Sequence, residues 1–205
     1  GGSGPATVEL VVLDWLRSLC GMPDGTEGVL VTGGSVASLV ALAAARTARG
    51  PGVVYVSPEG HASVARAARL LALEVRVLPA LTADAVRAAG APGIIAATAG
   101  TTSTGAVDPL PELADVCEEL GLWLHVDGAY GAPAMLTEQG RTVLSGIERA
   151  DSLVLDPHKW LFQPYELGAV LVREPGQLER AFSLEGAYLR DTTTRDVQFR
   201  DRSPQ

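Results

Sequence analysis

Residues 151–161 read Asp-Ser-Leu-Val-Leu-Asp-Pro-His-Lys-Trp-Leu, a short apolar run followed by a polar turn that carries Lys159. Lys159 is the only lysine among 205 residues, and the other fifteen basic residues are arginine. Arginine stays protonated at any workable pH, whereas a desolvated lysine amine can lose its proton and attack a carbonyl. The stretch predicts a strand that ends near a nucleophilic amine. The alternative is a single surface lysine left in an arginine-rich chain.

Working outward from this stretch, strand-like and helical segments alternate. We predict helices at 8–19, from the Gly33-Gly34 turn to about 49, and at 62–73, 83–89 and 110–120. We predict strands at 28–31, 53–56, 75–78, 94–98, 122–126, 152–155 and 168–172. This alternation is typical of an α/β protein with a mostly parallel, doubly wound sheet, in which ligands gather beyond the carboxyl ends of the strands.

Composition narrows the functional classes. Apolar residues make up 47% of the chain, enough for one sizeable core, and the net charge of −8 with no basic tract argues against nucleic acid as a partner. The longest mostly apolar stretch, 36–45, is too short to span a bilayer. Cys20 and Cys117 lie too far apart in sequence to indicate a metal site or a disulfide framework. We therefore expect a cytoplasmic protein without a bound metal.

Candidate functional residues follow several predicted strands. Gly33-Gly34-Ser35 opens a helix, where backbone N–H groups can bind an anion, although an ordinary turn would have the same composition. The stretch matches neither of the common nucleotide-binding glycine motifs. Asp127 closes another of the predicted strands and could pair with a protonated pyridine nitrogen, or simply cap the following segment. His61 could lay its ring on a cofactor, and Thr98 offers a hydroxyl; taken alone, each is an ordinary turn or first-turn residue.

Together these segments resemble the group II pyridoxal-phosphate-dependent decarboxylases, the family of aromatic-L-amino-acid and glutamate decarboxylases. The resemblance runs from about Val8 to Gln205, and its most specific motif is the last in this series: Thr-Gly-Gly-Ser at 32–35, Ser-Pro-Glu-Gly-His-Ala-Ser-Val at 57–64, Ala-Thr-Ala-Gly-Thr-Thr at 97–102, His-Val-Asp-Gly-Ala-Tyr-Gly at 125–131 and Asp-Pro-His-Lys-Trp at 156–160.

The resemblance implies the large domain of a fold type I pyridoxal-phosphate enzyme. It divides the chain into a linker or disordered start at 1–7, the cofactor-binding domain at 8–186, and a mobile catalytic-loop region with a truncated end at 187–205. The family's chains are much longer and work as homodimers. We therefore expect a fragment that is inactive alone, from a parent enzyme that converts an L-amino acid to its amine and carbon dioxide, a carboxy-lyase reaction of carboxylic acid metabolism.

The resemblance also assigns roles. Lys159 would form the Schiff base with pyridoxal phosphate, and Asp127 would pair with the pyridine nitrogen. The remaining cofactor contacts would be His61 stacked on the ring, Ala129 beneath it, Thr98 near the ring hydroxyl, Gly34 and Ser35 at the phosphate, and His158 close to the phosphate.

The chain departs from the family's pattern at some positions. Many relatives have asparagine where Asp156 stands and glutamate where Val36 stands. A carboxylate beside a phosphate adds like charge unless it faces away or pairs with an arginine. In the loop that corresponds to 188–203, Phe199 lies nearest the family tyrosine that helps protonate the substrate carbon, with Tyr188 as a rival.

Other functions stay open at the level of sequence. A class V aminotransferase or a cysteine desulfurase would share the lysine, the aspartate and the sheet. The Pro-His-Lys-Trp stretch and His61 favour the decarboxylase. A catalytically inert scaffold is the third possibility, and the joint presence of Lys159, Asp127 and His61 argues against it.

Overall fold

The computed structural model describes residues 3–183 and 202–204. Its strands are β1 (Glu27–Val31), β2 (Val53–Val56), β3 (Glu74–Val77), β4 (Gly93–Thr98), β5 (Trp123–Asp127), β6 (Ser152–Leu155) and β7 (Gly168–Val172). Its α-helices are α1 (Ser3–Leu19), α2 (Gly33–Arg49), α3 (Ala62–Leu70), α4 (Ala83–Ala89), α5 (Leu110–Leu120), α6 (Glu138–Val143), α7 (Pro157–Trp160) and α8 (Gln177–Phe182). Short 3-10 helices lie at Ala132–Leu136 and Ile147–Arg149.

The strands form one sheet in the order β1-β7-β6-β5-β4-β2-β3. Neighbours from β6 to β3 are parallel, whereas β7 runs antiparallel to both β1 and β6. The predicted mostly parallel α/β sheet is confirmed. Because β1 and β6 both run against β7, the carboxyl ends of β1, β2, β4, β5 and β6 meet at the same edge of the sheet.

Helices cover both faces of the sheet. Successive side chains of each strand point to opposite faces, so the sheet contributes to two hydrophobic cores. On one face, Leu124 and Val126 of β5 pack with residues of α1 and α5. On the other, Trp123 packs with α2, whose buried alanines keep the helix close to the strands. Within the described residues, no helix is long and apolar enough to cross a membrane.

The start of the chain differs from the prediction. Helix α1 begins at Ser3, so the predicted linker over residues 1–7 is wrong from that residue onwards. Pro5 falls in the first helical turn, where its missing N–H would have no intrahelical acceptor, so it does not delay the helix. Near the other end, Arg202 is buried and its guanidinium lies 3.4 Å from the carboxylate of Glu27, so the described part of 187–205 is packed against β1. Tyr188 and Phe199 lie outside the described residues.

Candidate active site

A cleft of about 370 Å³ lies at the edge of the sheet where the carboxyl ends of the parallel strands meet. Every residue that the sequence assigned to cofactor binding lines it: Gly34, Ser35, His61, Thr98, Asp127, Ala129, His158 and Lys159. The elements that supply them are distant in sequence, and the sheet brings them together. The structure therefore gathers all eight predicted site residues into a single cleft.

The N-terminus of α2 forms one wall of the cleft. Gly33 has φ +74° and Gly34 follows it into the first turn, so the chain turns sharply from β1 into the helix. Gly34 is in close contact with Asp156, because a β-carbon built on Gly34 would lie 2.7 Å from Oδ2 of that aspartate. Only glycine fits here, and the backbone N–H groups of the first turn are available to an anion.

Asp127 ends β5 inside the cleft and is 7% exposed. Its Oδ1 accepts a hydrogen bond of 3.1 Å from the N–H of Ala129. Burial raises the pKa of Asp127, while that hydrogen bond and the charges of His61 and Lys159 act in the opposite direction. A desolvated carboxylate of this kind is stabilised by a cationic partner, which a protonated ring nitrogen would supply.

Lys159 lies in α7, a single turn that starts at Pro157 directly after the end of β6. Its Nζ is 3.1 Å from Oδ2 of Asp156, one turn earlier. Asp156 occupies the N-cap position of α7 but makes no side-chain capping hydrogen bond, so its carboxylate turns towards the lysine instead. From the sequence, this aspartate adds like charge beside a phosphate unless it faces away or pairs with an arginine. The structure pairs it with Lys159.

His158 lines the cleft, and its Nδ1 edge, which faces away from the cleft, is held by the backbone of Leu167. Its Nδ1 lies 2.7 Å from the carbonyl oxygen and 3.1 Å from the nitrogen of Leu167, and its ring packs edge-on against that of Tyr165 at 5.1 Å. Its Nε2 is 4.0 Å from Oδ2 of Asp156. His158 therefore presents Nε2 to the side of the cleft where α2 begins.

His61 is the N-cap residue of α3 and therefore directly precedes the helix. Its Nδ1 accepts a hydrogen bond from the N–H of Ser63 at 3.3 Å and lies 2.8 Å from the Ser63 hydroxyl oxygen. That hydroxyl is 3.3 Å from the hydroxyl of Ser38, which donates to the carbonyl oxygen of Gly34. A chain of polar groups thus connects His61 to the first turn of α2.

Thr98 ends β4 with its side chain buried at the floor of the cleft. Its N–H donates a 2.7 Å hydrogen bond to Oδ2 of Asp108, and burial raises the pKa of that carboxyl. Asp108 thus fixes the point at which β4 meets the cleft. No sequence pattern indicates this role of Asp108, because its contact with Thr98 depends on the path of the intervening loop.

The cleft also contains residues that the sequence reasoning missed. Tyr130 and Trp160 meet edge-to-face at 5.5 Å, so the residues that directly follow Ala129 and Lys159 contact each other. Tyr165 and Glu166 line the cleft from the segment after α7. Tyr130 belongs to the His-Val-Asp-Gly-Ala-Tyr-Gly stretch, which could have indicated it. Tyr165 and Glu166 lie in a segment without helical or strand periodicity, so no sequence pattern indicated their place in the cleft.

His125, the third histidine, lies outside the cleft. It is completely buried, and its Nδ1 is 3.0 Å from the Ser152 hydroxyl oxygen, which accepts a 2.8 Å hydrogen bond from the indole of Trp123. Burial lowers the pKa of His125 to about 4. The histidine is therefore a neutral core residue that ties β5 to β6.

Comparison with known proteins gives a consistent result. The family model described as the pyridoxal-dependent decarboxylase conserved domain matches residues 3–202. The aromatic-L-amino-acid decarboxylase of Bacillus atrophaeus is 44% identical over 94% of this chain and 45% of its own length. The histidine decarboxylase of Drosophila melanogaster is 36% identical over 91% of this chain and 27% of its own. The chain thus spans about half, or less, of the relatives it matches.

Solved structures agree with this match. The tryptophan decarboxylase of Catharanthus roseus in complex with L-tryptophan superposes with a TM-score of 0.82 and 30% identity, over 97% of this chain and 50% of that one. The Oryza sativa enzyme TDC, solved with pyridoxal phosphate and tryptamine, superposes with a TM-score of 0.85 and 28% identity, over 95% of this chain and 48% of that one. The predicted fold type is confirmed.

The residues of the cleft fit pyridoxal phosphate. An amine, a buried carboxylate and a glycine-walled helix N-terminus are the donor set that its aldehyde, ring nitrogen and phosphate require. Two carboxylates oppose the fit at the end where the phosphate is expected: that of Asp156, which lies against Gly34, and that of Glu166, which lies near Gly33. Pyridoxal phosphate is the cofactor that this site is built to hold.

Proposed function

Because this chain belongs to the pyridoxal-dependent decarboxylase family, matched from residue 3 to 202, we propose that the protein removes the α-carboxyl group of an L-amino acid. The products are the amine and carbon dioxide. The observation that carries the proposal is the convergence of Lys159 and the buried Asp127 on one cleft. The relatives are named decarboxylases, which favours this reaction over those of a class V aminotransferase or a cysteine desulfurase.

Each side chain contributes a defined step. Lys159 would hold the cofactor aldehyde through Nζ. Asp127 keeps the ring nitrogen protonated, since a buried carboxylate is most stable beside a cation. Bound pyridoxal phosphate supplies an electron sink for the pair freed as carbon dioxide leaves. Ala129 is small enough to leave the face of the ring accessible.

His61 is suited to stack on the ring and to handle a proton. Because its Nδ1 accepts from the N–H of Ser63, a neutral ring carries its proton on Nε2. His61 is exposed, so this nitrogen can exchange protons with solvent and pass one to the substrate carbon. The N–H groups of Gly34 and Ser35 and the Nε2 of His158 would bind the phosphate, and Thr98 would contact the ring hydroxyl.

An aromatic L-amino acid is the substrate class to test first. Relatives are named for aromatic amino acids, tryptophan and histidine, all with planar side chains. Tyr130, Trp160 and Tyr165 bring exposed aromatic surface to the cleft or its immediate neighbours, and such surface favours a planar apolar group. Tyrosine, tryptophan, phenylalanine, histidine and glutamate should be compared by carbon dioxide release.

The activity should be measured on the protein that carries this sequence, in air, with amine, aldehyde and peroxide assayed together. Amine as the main product supports the proposal. If Phe199, and not its rival Tyr188, stands in place of the family tyrosine, it has no proton to give, and slow protonation would divert the reaction to aldehyde and peroxide. If pyridoxal phosphate binds but every substrate yields only the keto acid, the decarboxylase proposal is wrong.

A homodimer is part of the proposal. Val8, Val11 and Trp15 of α1 are 63%, 43% and 67% exposed, an apolar strip that a second subunit would cover. Sedimentation velocity should give a dimer for the protein that carries this sequence. Trp15→Glu should shift it towards monomer if α1 lies in the interface.

We also propose that the protein works in the cytoplasm. Cys20 and Cys117 are both buried as free thiols, and burial raises the pKa of Cys20 to about 12. Thiols that remain reduced are typical of a reducing compartment. Cell fractionation with an antibody against the protein tests this, and recovery in a secreted fraction would contradict it.

A further inference from the structure

The carboxylate of Asp156 lies at the end of the cleft where the cofactor phosphate is expected. Asp156 is 2% exposed, and its Oδ2 is 3.1 Å from Nζ of Lys159. Its Oδ1 is buried and has no hydrogen-bond partner among the residues that the structure describes. A buried carboxylate with one oxygen unsatisfied is costly, and Lys159 is the cation that compensates for it.

Asp156 also contacts the first turn of α2. A β-carbon on Gly34 would lie 2.7 Å from Oδ2 and 3.0 Å from Oδ1, so both oxygens approach the backbone that is available to an anion. The charged or titratable groups near it are Lys159, His158 with Nε2 at 4.0 Å, Asp127 of β5, Tyr165, and Glu166, whose carboxylate lies near Gly33. Among the residues that the structure describes, only Lys159 is paired with its side chain at hydrogen-bonding distance.

We propose that Asp156 is a positioning residue that sets how strongly this site prefers a phosphorylated cofactor: its carboxylate holds Nζ of Lys159 and opposes a phosphate at Gly34. The inference rests on the proposed function. Two negative groups at one helix N-terminus repel each other, and every aldehyde that reacts with Lys159 competes with Asp156 for Nζ. The chain should therefore discriminate less between pyridoxal phosphate and pyridoxal than an asparagine variant does.

The experiment compares dissociation constants for pyridoxal phosphate and for pyridoxal, measured by absorbance titration. Asp156→Asn keeps the shape of the side chain and removes its charge. In this variant Nζ of Lys159 is no longer held by a carboxylate, which should strengthen the binding of both aldehydes. The loss of repulsion between residue 156 and the phosphate should strengthen the binding of pyridoxal phosphate alone. We expect the ratio of the pyridoxal constant to the pyridoxal phosphate constant to rise at least roughly tenfold.

A Lys159→Ala background isolates the phosphate end, because no covalent bond can form at that position. Adding Asp156→Asn there should still raise the ratio, now through non-covalent binding measured by equilibrium dialysis. This comparison also guards against a change in lysine reactivity being mistaken for a change in phosphate affinity.

Asp151→Asn is the matched control. Asp151 precedes β6 as Asp156 follows it, so the substitution removes the same charge at the opposite edge of the sheet, and the ratio should stay within about twofold of the unmodified protein. If both aldehydes bind and Asp156→Asn leaves the ratio unchanged in both backgrounds, the proposal is wrong and the proposed function stands. If neither aldehyde can be trapped on Lys159 by borohydride, both fail.

Discussion

The hydroxyl oxygen of Ser63 lies 2.8 Å from Nδ1 of His61, and the backbone N–H of Ser63 donates to the same nitrogen. Ser63 is buried although His61 is exposed, so a rigid residue of α3 orients a ring that is otherwise open to solvent. The same hydroxyl reaches Ser38 at 3.3 Å, in the helix whose first turn is assigned to the phosphate. The orientation of His61 and the position of α2 are therefore coupled.

Ser63→Ala tests this coupling. The backbone hydrogen bond to His61 remains, so we expect the ring to loosen without being lost and kcat/KM of decarboxylation to fall roughly three- to tenfold. Steady-state kinetics on the protein that carries this sequence would measure it. Ser103→Ala, in the exposed loop after Thr102, should leave the rate unchanged. Equal rates for both variants would mean that Ser63 does not orient His61.

Asp127→Asn should slow decarboxylation by roughly 10²- to 10⁴-fold, because an amide cannot keep the ring nitrogen protonated. Asp151→Asn is the matched control. It too is a carboxylate whose pKa is raised by burial and which accepts a backbone N–H, from Leu124, but it lies at the far edge of the sheet. Single-turnover rates at saturating cofactor separate chemistry from binding. A near-normal rate for Asp127→Asn would make Asp127 only a capping residue.

His125 predicts acid sensitivity of the fold. Burial lowers the pKa of His125 from 6.5 to about 4. As the pH falls through this range, His125 is protonated in the unfolded chain but stays neutral in the folded chain, so the folded state loses stability. The contribution is complete above pH 6.5, and about 2 kcal/mol of it should be lost by pH 4.5. Buried aspartates with raised pKa values, such as Asp127, act in the opposite direction.

The effect of His125 is therefore measured by comparing the unmodified chain with a variant that lacks this histidine. Urea unfolding of the unmodified chain and of His125→Gln at pH 7 and pH 4.5 gives the acid-dependent loss of unfolding free energy for each. The loss should be smaller by about 2 kcal/mol in the variant, which has no titrating group at that position. An identical loss in both proteins would show that His125 is protonated in the folded state.

Much of the fold could be predicted from the sequence because its elements are bounded by clear signals. β2 at Val53–Val56 and α5 at Leu110–Leu120 were predicted to the residue. The first is a compact apolar run next to glycine, and the second ends at Gly121, whose φ of +66° terminates the helix. The site residues followed from their places at strand ends and from the resemblance.

The remaining features depend on contacts that no local pattern carries. Helix α7 is one turn long, too short for a periodicity, and the segment after it includes Phe162 with φ +55°. Tyr165 and Glu166 reach the cleft through that segment. The pairing of Asp156 with Lys159 depends on the turn of α7, which places the lysine amine 3.1 Å from Oδ2, and no local sequence pattern indicates it.

The central claim is that Lys159 is the residue that binds the cofactor aldehyde. Its status as the only lysine makes the test direct: incubation with pyridoxal phosphate, reduction with borohydride, and peptide mass spectrometry to locate the adduct. We predict a stable adduct on Lys159, apart from any on the amino terminus, and its loss in Lys159→Ala. An unlabelled Lys159 in a folded protein, or a Schiff-base absorbance that survives in Lys159→Ala, would contradict the account.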